Sequence, residues 1–258
     1  MRSAATSMEA AGFRAILELA DDGLILGHRL SEWCGHAPTL EEDLALANMG
    51  LDLLGQARAL YAHAGAIEGK GRSEDDLAFL RRERDYCNCL LVARPNGDFA
   101  VTMARQLYFS AFMEPYWHEI AAHSSDETLA GIAAKAEKEM AYHLRHSGEW
   151  VIRLGDGTDE SAARMQAAID ELHRYTGEMF LASPARLEAI AAGLLPDPET
   201  VRAAWDQTIA MVFSAADLTV PDVRVPQTGG REGLHGEDMG HLLAELQFMQ
   251  RAYPGQTW

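Results

Sequence analysis

A glutamate and a histidine stand one helical turn apart in the segment EKEMAYHLRH, at Glu139 and His143. Helix bundles that hold two metal ions take a Glu-x-x-His pair from each of two helices and one glutamate from each of the other two. Such sites combine carboxylates with imidazoles because hard metal ions prefer anionic oxygen donors with nitrogen ligands beside them. The question is therefore whether other segments supply the remaining donors of a two-metal oxidation centre.

A second polar stripe interrupts the apolar segment LALANMGLDLLGQA. Asn48, Asp52 and Gln56 recur at every fourth position, so a helix places them on one face, turned inward or toward an interface. Upstream, Asp21 and Asp22 break an apolar pattern at about the matching height, provided that the two segments fold back on one another. We expect one polar cluster with these members: Asp22, Asn48, Asp52, Gln56, Glu139 and His143.

The donor types of this cluster do not suit a pair of metal ions. The second helix supplies no imidazole, and the third supplies Gln106 and Ser110 at the matching depth in place of a carboxylate. Glu139 and His143 are four residues apart where three is usual, and each residue turns a side chain by about 100° around a helix. The sequence therefore predicts a hydrogen-bonded polar cluster here, with no metal and no catalytic residue. A di-iron or di-manganese oxidase remains the alternative, with these ligands: Asp22, Asp52, Glu139 and His143.

Four long helices must position these residues. Apolar residues recur at spacings of three and four over residues 13–33, which predicts the first helix. TLEED predicts a capping box, in which the threonine caps and a glutamate reaches back, and the second helix continues from it to Gly65. The third helix is expected over about residues 99–122, and a capping box of Ser124 and Glu127 begins the fourth, which ends at GDG.

Shorter helices complete the chain. One is expected over about residues 159–181 and the last over about 237–253, while SPARLEAI and DPETVRAAW each show an N-cap followed by proline at the first helical position. Strand signals are absent apart from the short LTVPDVRV. A long connection over residues 66–97 joins the second and third helices, which is the crossover of ferritin-like bundles. The sequence predicts an all-α, single-domain chain: a ferritin-like four-helix bundle over about residues 12–154, with about four additional helices over 158–258.

Composition restricts the classes of partner. The 258 residues carry a formal net charge of −17, from 22 basic and 39 acidic side chains, which argues against nucleic acid and against anionic membranes. No stretch approaches the roughly 18 consecutive apolar residues of a membrane span. The first residues show no apolar run with a cleavage site, so we expect a cytoplasmic protein. Cys34, Cys87 and Cys89 cannot all pair with one another, and we expect reduced thiols.

The segment QTGGREG resembles a loop that cradles a phosphate. It lacks the Gly-Lys-Ser/Thr ending and a preceding strand, so it is a weak match to that motif. We predict that it lies within a long irregular segment, VPDVRVPQTGGREGLHG, ahead of the last helix.

Long segments of the chain resemble the PaaC family, which supplies one of the subunits of bacterial phenylacetyl-CoA epoxidases. The resemblance extends over about residues 15–258. It is carried by these segments: RLSEWCGHAPTLEEDLALANMGLDLLGQAR, RPNGDFAVTMARQ, EKEMAYHLRHSGEWVIRLGDGTDES, HRYTGEMF and TGGREGLHGEDMGHLLAELQFMQRAYPGQTW.

The resemblance implies a ferritin-like subunit of a multicomponent monooxygenase. Such a complex converts phenylacetyl-CoA to its ring-1,2-epoxide with O2 and with electrons from an NADPH-fed reductase subunit. The family places the di-iron centre in the catalytic A subunit, so the resemblance implies a structural role and no cofactor in this chain. The implied partners are the A subunit, in a heteromer, and the other epoxidase subunits, including the reductase. An acyl-CoA-binding module that contributes part of a substrate pocket is a further alternative.

A structural subunit needs a large apolar surface for its partner. The third helix carries large apolar residues on or near one face, and they are candidates for that surface: Phe109, Phe112, Met113, Tyr116 and Trp117. An ordinary place in the core of the chain itself is an equally good interpretation of these residues.

Overall fold

The computed structural model describes residues 2–223 and 225–256, with side chains from residue 12 onward. Within these residues the chain forms α-helices and 3-10 helices and no strand, which confirms the all-α class. The strand-like segment LTVPDVRV is irregular at residues 218–223 and 225, and Arg224 lies outside the described residues. No helix in this described part is long and apolar enough to cross a lipid bilayer.

The α-helices are numbered in chain order. They are α1 (Arg2–Ser31), α2 (Leu40–Glu68), α3 (Glu74–Phe79), α4 (Leu90–Ala93), α5 (Phe99–His123), α6 (Glu127–Gly155), α7 (Asp159–Leu172), α8 (Pro184–Ala191), α9 (Arg202–Ala215), α10 (Glu237–Leu246) and α11 (Phe248–Ala252). The 3-10 helices of the described residues are Glu83–Asp85, His173–Phe180, Pro198–Val201 and Gly230–Glu232.

The four long helices pack as two hairpins. Helix α1 lies along α2, α5 lies along α6, and α2 also contacts α6. Glycines let the first pair approach closely: a Cβ added at Gly27 would lie 3.1 Å from the backbone oxygen of Gly50, and one added at Gly23 would lie 3.1 Å from that of Leu53. The polar positions of α2 and α6 are therefore held at fixed heights relative to α1 and α5.

The shorter helices cover the outside of these hairpins. Helix α8 packs on α1, while α7 and α9 pack on both α5 and α6. The crossover between α2 and α5 contains α3 and α4, and α4 contacts both α1 and α5. Most of α5 is consequently enclosed on every side.

The large apolar residues of α5 belong to the core of the chain. Each of the five candidates for a partner surface is at most 3% exposed. Phe112 makes an edge contact with Phe180, at 5.0 Å between ring centres, and Tyr108 stacks on Trp205 at 5.8 Å. The core interpretation of these residues is therefore correct, because the C-terminal helices take the place that a partner would need.

Three helices differ from the sequence prediction, and one of them is the last helix, expected over about residues 237–253, which is divided at Gln247 into α10 and α11. Helix α6 is capped by Asp126, whose side chain accepts the Leu129 N–H, and the Ser124 hydroxyl instead donates to the Leu194 carbonyl. Helix α7 ends at Leu172 and gives way to a 3-10 helix, because buried Glu178 turns away to bind backbone amides elsewhere.

Two glycines of α2 give a matched test of the packing. Alanine is favoured over glycine inside a helix by about 1 kcal/mol. At Gly55 nothing lies within 4 Å of an added Cβ, so Gly55→Ala is expected to raise the free energy of unfolding by about 0.5–1 kcal/mol.

At Gly65 the same change meets backbone. The added Cβ would lie 2.6 Å from the Arg72 oxygen, so Gly65→Ala is expected to lower the free energy of unfolding by about 1–3 kcal/mol. Urea denaturation of both variants measures the difference. Stabilisation by both substitutions would contradict the close approach of residue 72 to α2.

Candidate functional site

Polar pairs bridge α2 and α6 along their shared length. The order of the contacts shows that the two helices run antiparallel. From one end to the other, the pairs are His63 Nε2 with Asp126 Oδ2 (2.7 Å), Gln56 Nε2 with Glu139 Oε2 (2.9 Å), His143 Nε2 with Asp52 Oδ2 (3.1 Å) and His146 Nε2 with Glu42 Oε2 (2.9 Å, without hydrogen-bond geometry). The sequence-predicted cluster lies in the middle of this seam.

Both carboxylate oxygens of Glu139 are engaged by donors of the chain itself. The Gln56 amide donates to Oε2 at 2.9 Å, and the Lys135 ammonium lies 3.0 Å from Oε1, one turn earlier on α6. The lysine compensates the charge of the Glu139 carboxylate from the exposed side of α6. Its aliphatic stem is exposed, so nothing in the sequence pattern distinguishes it from an ordinary surface lysine.

His143 is completely buried and bonded at both ring nitrogens. The Gln106 amide lies 3.2 Å from Nδ1 and the Asp52 carboxylate 3.1 Å from Nε2. With Gln106 as the donor, Nδ1 accepts and the proton sits on Nε2, where it is donated to Asp52. The imidazole therefore has its two hydrogen-bond partners within the chain, as expected for a structural histidine.

The donors at this place do not fit two metal ions. The cluster offers the carboxylates of Asp52 and Glu139 and the imidazole of His143, against about four carboxylates and two imidazoles in a di-iron pocket. Within residues 12–223 and 225–256, no group of three or more His, Cys, Asp and Glu side chains is arranged to hold an ion. The hydrogen bonds of this cluster join α2, α5 and α6.

Two of the six expected members lie elsewhere. Asn48 is exposed on the outer side of α2, at a height between the pairs of Asp52 and Glu42. Asp22 points away from α2 and α6 and binds Arg231, with Nη2 and Oδ2 2.8 Å apart. The helical spacing indicated the heights of these residues, but the direction of each side chain depends on the rotation of α1 and α2 about their axes.

Asp22 belongs to a second group, here called the buried ion cluster. It combines three acids of α1 with three arginines that come from distant segments. The members are Glu18, Asp21, Asp22, Arg81, Arg186 and Arg231, each at most 6% exposed. The cluster fastens the crossover and the C-terminal loops to α1.

Asp21 is the centre of one half of the buried ion cluster. It accepts from the Tyr61 hydroxyl at 2.5 Å, from the Cys87 backbone N–H at 2.8 Å and from both terminal nitrogens of Arg81. Burial acts to raise the pKa of Asp21, but the Arg81 charge and these hydrogen bonds outweigh it and the pKa is lowered. Asp21 is therefore an ionised anchor for the crossover.

Arg231 is the centre of the other half. It donates to both oxygens of Asp22, at 3.0 and 2.8 Å, and to the backbone oxygens of Glu18 and Cys87. Arg186 lies 3.2 Å from Glu18 and is completely buried. The CNC segment takes part through its backbone: the Cys89 N–H donates to Asp22, while its two thiols are buried and form no disulfide, as expected.

The glycine-rich loop QTGGREG binds the side-chain carboxylate of Glu178. Gly229 and Gly230 donate their N–H groups to Oε1 of Glu178 at 2.8 and 2.7 Å, and Leu90 donates to Oε2 at 2.6 Å. Burial raises the pKa of Glu178 despite these three donors. The loop thus resembles a phosphate-binding loop in its backbone N–H donors, which here bind the carboxylate of Glu178 in place of a phosphate.

A carboxylate at position 56 tests the polar cluster. Gln56→Glu removes the amide donor and sets a second negative charge against Glu139, so the free energy of unfolding is expected to fall by about 1–3 kcal/mol at neutral pH. Urea denaturation measures the change. The exchanged double variant, Gln56→Glu with Glu139→Gln, restores one amide and one carboxylate and is expected to regain most of the loss. A double variant no better than the single one would contradict a direct bond between the two side chains.

These observations define an all-α protein in which two adjoining helices carry a partial likeness of a metal-binding bundle. The chain belongs to the family of phenylacetic acid catabolic proteins, whose model matches residues 2–258 and whose fold is ferritin-like. It is 49% identical, over 242 residues, to the C subunit of the 1,2-phenylacetyl-CoA epoxidase of Escherichia coli (strain K12). That similarity covers 94% of this chain and 97% of the relative.

Proposed function

We propose that the chain is a non-catalytic structural subunit of a phenylacetyl-CoA 1,2-epoxidase in aerobic phenylacetate catabolism. It supports a catalytic A subunit that carries the di-iron centre, and it holds no metal itself. Its similarity to the Escherichia coli epoxidase subunit supports its place in such a complex, at 49% identity over nearly the whole of both chains. We expect the complex to be cytoplasmic and to include a reductase.

One observation carries the non-catalytic role. Glu139, the best candidate for a bridging ligand, is neutralised by Lys135 at 3.0 Å and hydrogen-bonded by Gln56 at 2.9 Å. A metal ion there would have to displace an ammonium group and would find an amide where a second carboxylate is needed. The side chains at this place instead bond to one another, Gln56 to Glu139 and His143 to Asp52 and Gln106, which supports a structural role.

Metal analysis separates this function from a self-sufficient oxidase. The chain is incubated with Fe(II) or Mn(II) without oxygen, alone and in complex with the catalytic subunit, then desalted and analysed. We expect the metal to remain with the catalytic subunit. This chain is expected to retain no more metal than a control protein that has no metal ligands. About two ions per copy of this chain would overturn the proposal.

A conservative substitution gives a second readout in the assembled complex. Asp52→Asn keeps an oxygen that accepts from His143, so turnover of phenylacetyl-CoA by the complex is expected to stay unchanged within error. If Asp52 served a metal, removing its charge would lower metal affinity or activity by about 10–100-fold or more. The oxidase alternative therefore predicts a loss where the structural role predicts none.

Binding of the substrate tests the remaining alternative, an acyl-CoA-binding module. Calorimetric titration with phenylacetyl-CoA is performed on the chain alone, on the catalytic subunit alone and on the complex. The structural role predicts no binding to this chain alone. Saturable binding to it would support the module instead.

A further inference from the structure

Helix α2 presents an outer stripe that has almost no charge. Between residues 44 and 67 the charged side chains are Asp52 and Arg58, where the chain average of 24% would give about six. The three leucines of the stripe are 71%, 59% and 66% exposed. Its members, at spacings of three and four, are Leu40, Leu44, Asn48, Leu51, Gly55 and Arg58. Exposed leucines at helical spacing are unusual on a face that meets only water, so this stripe is a candidate for contact with a partner.

The neighbouring stripe of α6 is positively charged. Although the whole chain has a net charge of −17, two of its three lysines stand on this stripe. Over residues 128–145 the exposed members are Thr128, Gly131, Lys135, Lys138, Tyr142 and Arg145, none of them acidic, and the next position at this spacing is the exposed Glu149. Together the two stripes are here called the α2–α6 face.

A shallow groove of about 330 Å³ lies between the two stripes. Its walls are small residues, Gly55 and Ala59 on α2 and Gly131 on α6, and its floor reaches Gln56 of the polar cluster. Small residues let the backbone of an incoming helix approach closely. The members of the face span residues 40–58 of α2 and 128–145 of α6, about 27 Å along each helix, and two packed helices are about 20 Å wide, so the face offers on the order of 540 Å², about two thirds of the contribution of one partner to a standard interface.

We propose that the α2–α6 face docks the catalytic subunit, through a helical surface of that subunit with an apolar ridge and acidic residues along its edge. This rests on the proposed structural role and adds the surface and the chemistry of the partner. The leucines and the groove receive the ridge, and Lys138 and Arg145 face the acids. A second copy of this chain fits less well, because a symmetric pairing offers only the residues of this same face, and Lys138 and Arg145 find no acidic side chain among its named members.

Charge insertion on the apolar stripe tests the proposal. Leu51→Glu is compared with Met211→Glu on α9, since the two side chains are equally exposed, at 66% and 65%. Both variants of the full chain are expected to fold, as judged by circular dichroism. Binding to the metal-loaded catalytic subunit is then measured by surface plasmon resonance. Leu51→Glu is expected to raise the Kd by about 100-fold or more, because it buries an unpaired charge. Met211→Glu is expected to leave the Kd unchanged.

Charge reversal tests the acidic edge of the partner. Lys138→Glu combined with Arg145→Glu is expected to slow association by about 10-fold, and added salt to slow association of the unaltered chain. Unchanged or faster association of this variant would overturn the acidic partner surface. Equal affinity of Leu51→Glu and the unaltered chain would overturn the docking face while leaving the structural role standing.

Two further outcomes separate the face from the function. No binding between the unaltered chain and the catalytic subunit would overturn both the proposed function and the docking face. A homodimer of the unaltered chain in sedimentation, dissociated by Leu51→Glu, would show that a second copy occupies the face and would overturn the heteromeric proposal.

Discussion

Replacing Arg231 by methionine is expected to lower the free energy of unfolding by about 3–5 kcal/mol, since it leaves buried carboxylates without their cation. Arg231 is 5% exposed and donates to both oxygens of Asp22 and to two backbone carbonyls. Methionine has a comparable volume, although its side chain is shorter, so the effect arises mainly from the lost charge and hydrogen bonds. Urea denaturation of the isolated chain measures it.

Removing the partner charge as well distinguishes electrostatics from packing. In Arg231→Met with Asp22→Asn the buried charge disappears, while the Asn oxygen still accepts from the Cys89 N–H. This double variant is expected to be more stable than Arg231→Met alone, since a buried pair costs most when one member is removed. Arg164→Met, at an exposed pair with Glu160, should leave stability unchanged. A double variant less stable than the single one would contradict the buried pairing.

The helices were predictable because their signals are local. An apolar spacing or an N-cap is set by neighbouring residues. The predicted N-caps of α2, α8 and the Pro198–Val201 3-10 helix are present in the structure at Thr39, Ser183 and Asp197. The end of α7 was not predictable in this way. It depends on Glu178, whose partners Gly229 and Gly230 lie about fifty residues further along the chain.

The polar cluster was predictable in part. A spacing of four on α2 and on α6 identified Asp52, Gln56, Glu139 and His143, and the structure brings these four together. The contribution of Lys135 was not predictable, because a lysine one turn before a glutamate is common on exposed helix surfaces.

The buried ion cluster could not be predicted from the sequence. Arginines are mostly exposed, so nothing in LRRERD or GGREG marks Arg81 and Arg231 as buried. Asp21 and Asp22 interrupt the apolar pattern of α1, whereas Glu18 gives no such signal, and the partners of Asp21 and Asp22 come from the crossover and from the C-terminal loop. Long-range pairs of this kind leave no periodic signal.

Composition alone left the large apolar residues of α5 open between a partner surface and the core, and the structure places them in the core. Aromatic content favoured α5, yet α5 is enclosed by α7 and α9. On α2 the three leucines Leu40, Leu44 and Leu51 are 59–71% exposed, which the apolar spacing of the sequence did not distinguish from a buried face. Exposure in the folded chain was needed to separate a core face from a face awaiting a partner.

The second large effect concerns Asp21→Asn, which is expected to lower the free energy of unfolding by about 3–5 kcal/mol at pH 7. All of the contacts to the Asp21 carboxylate are donors: the Tyr61 hydroxyl, the Cys87 N–H and thiol, and Arg81. In either orientation the Asn amide nitrogen therefore opposes at least two donors, and Arg81 loses its counter-charge. Urea denaturation measures the loss.

The loss of stability caused by Asp21→Asn depends on pH in a defined way. The pKa of Asp21 is lowered in the folded chain, so its ionised form contributes stability that is complete above the unfolded-state pKa of about 3.9 and is lost as pH falls through the folded-state pKa. The difference between the unaltered chain and Asp21→Asn should therefore be constant from pH 7 to 5 and should narrow below pH 4. A difference that is the same at pH 7 and at the acid limit of folding would contradict an ionised Asp21. Tyr61→Phe, which removes one donor and no charge, should cost about 1–2 kcal/mol with little dependence on pH in this range.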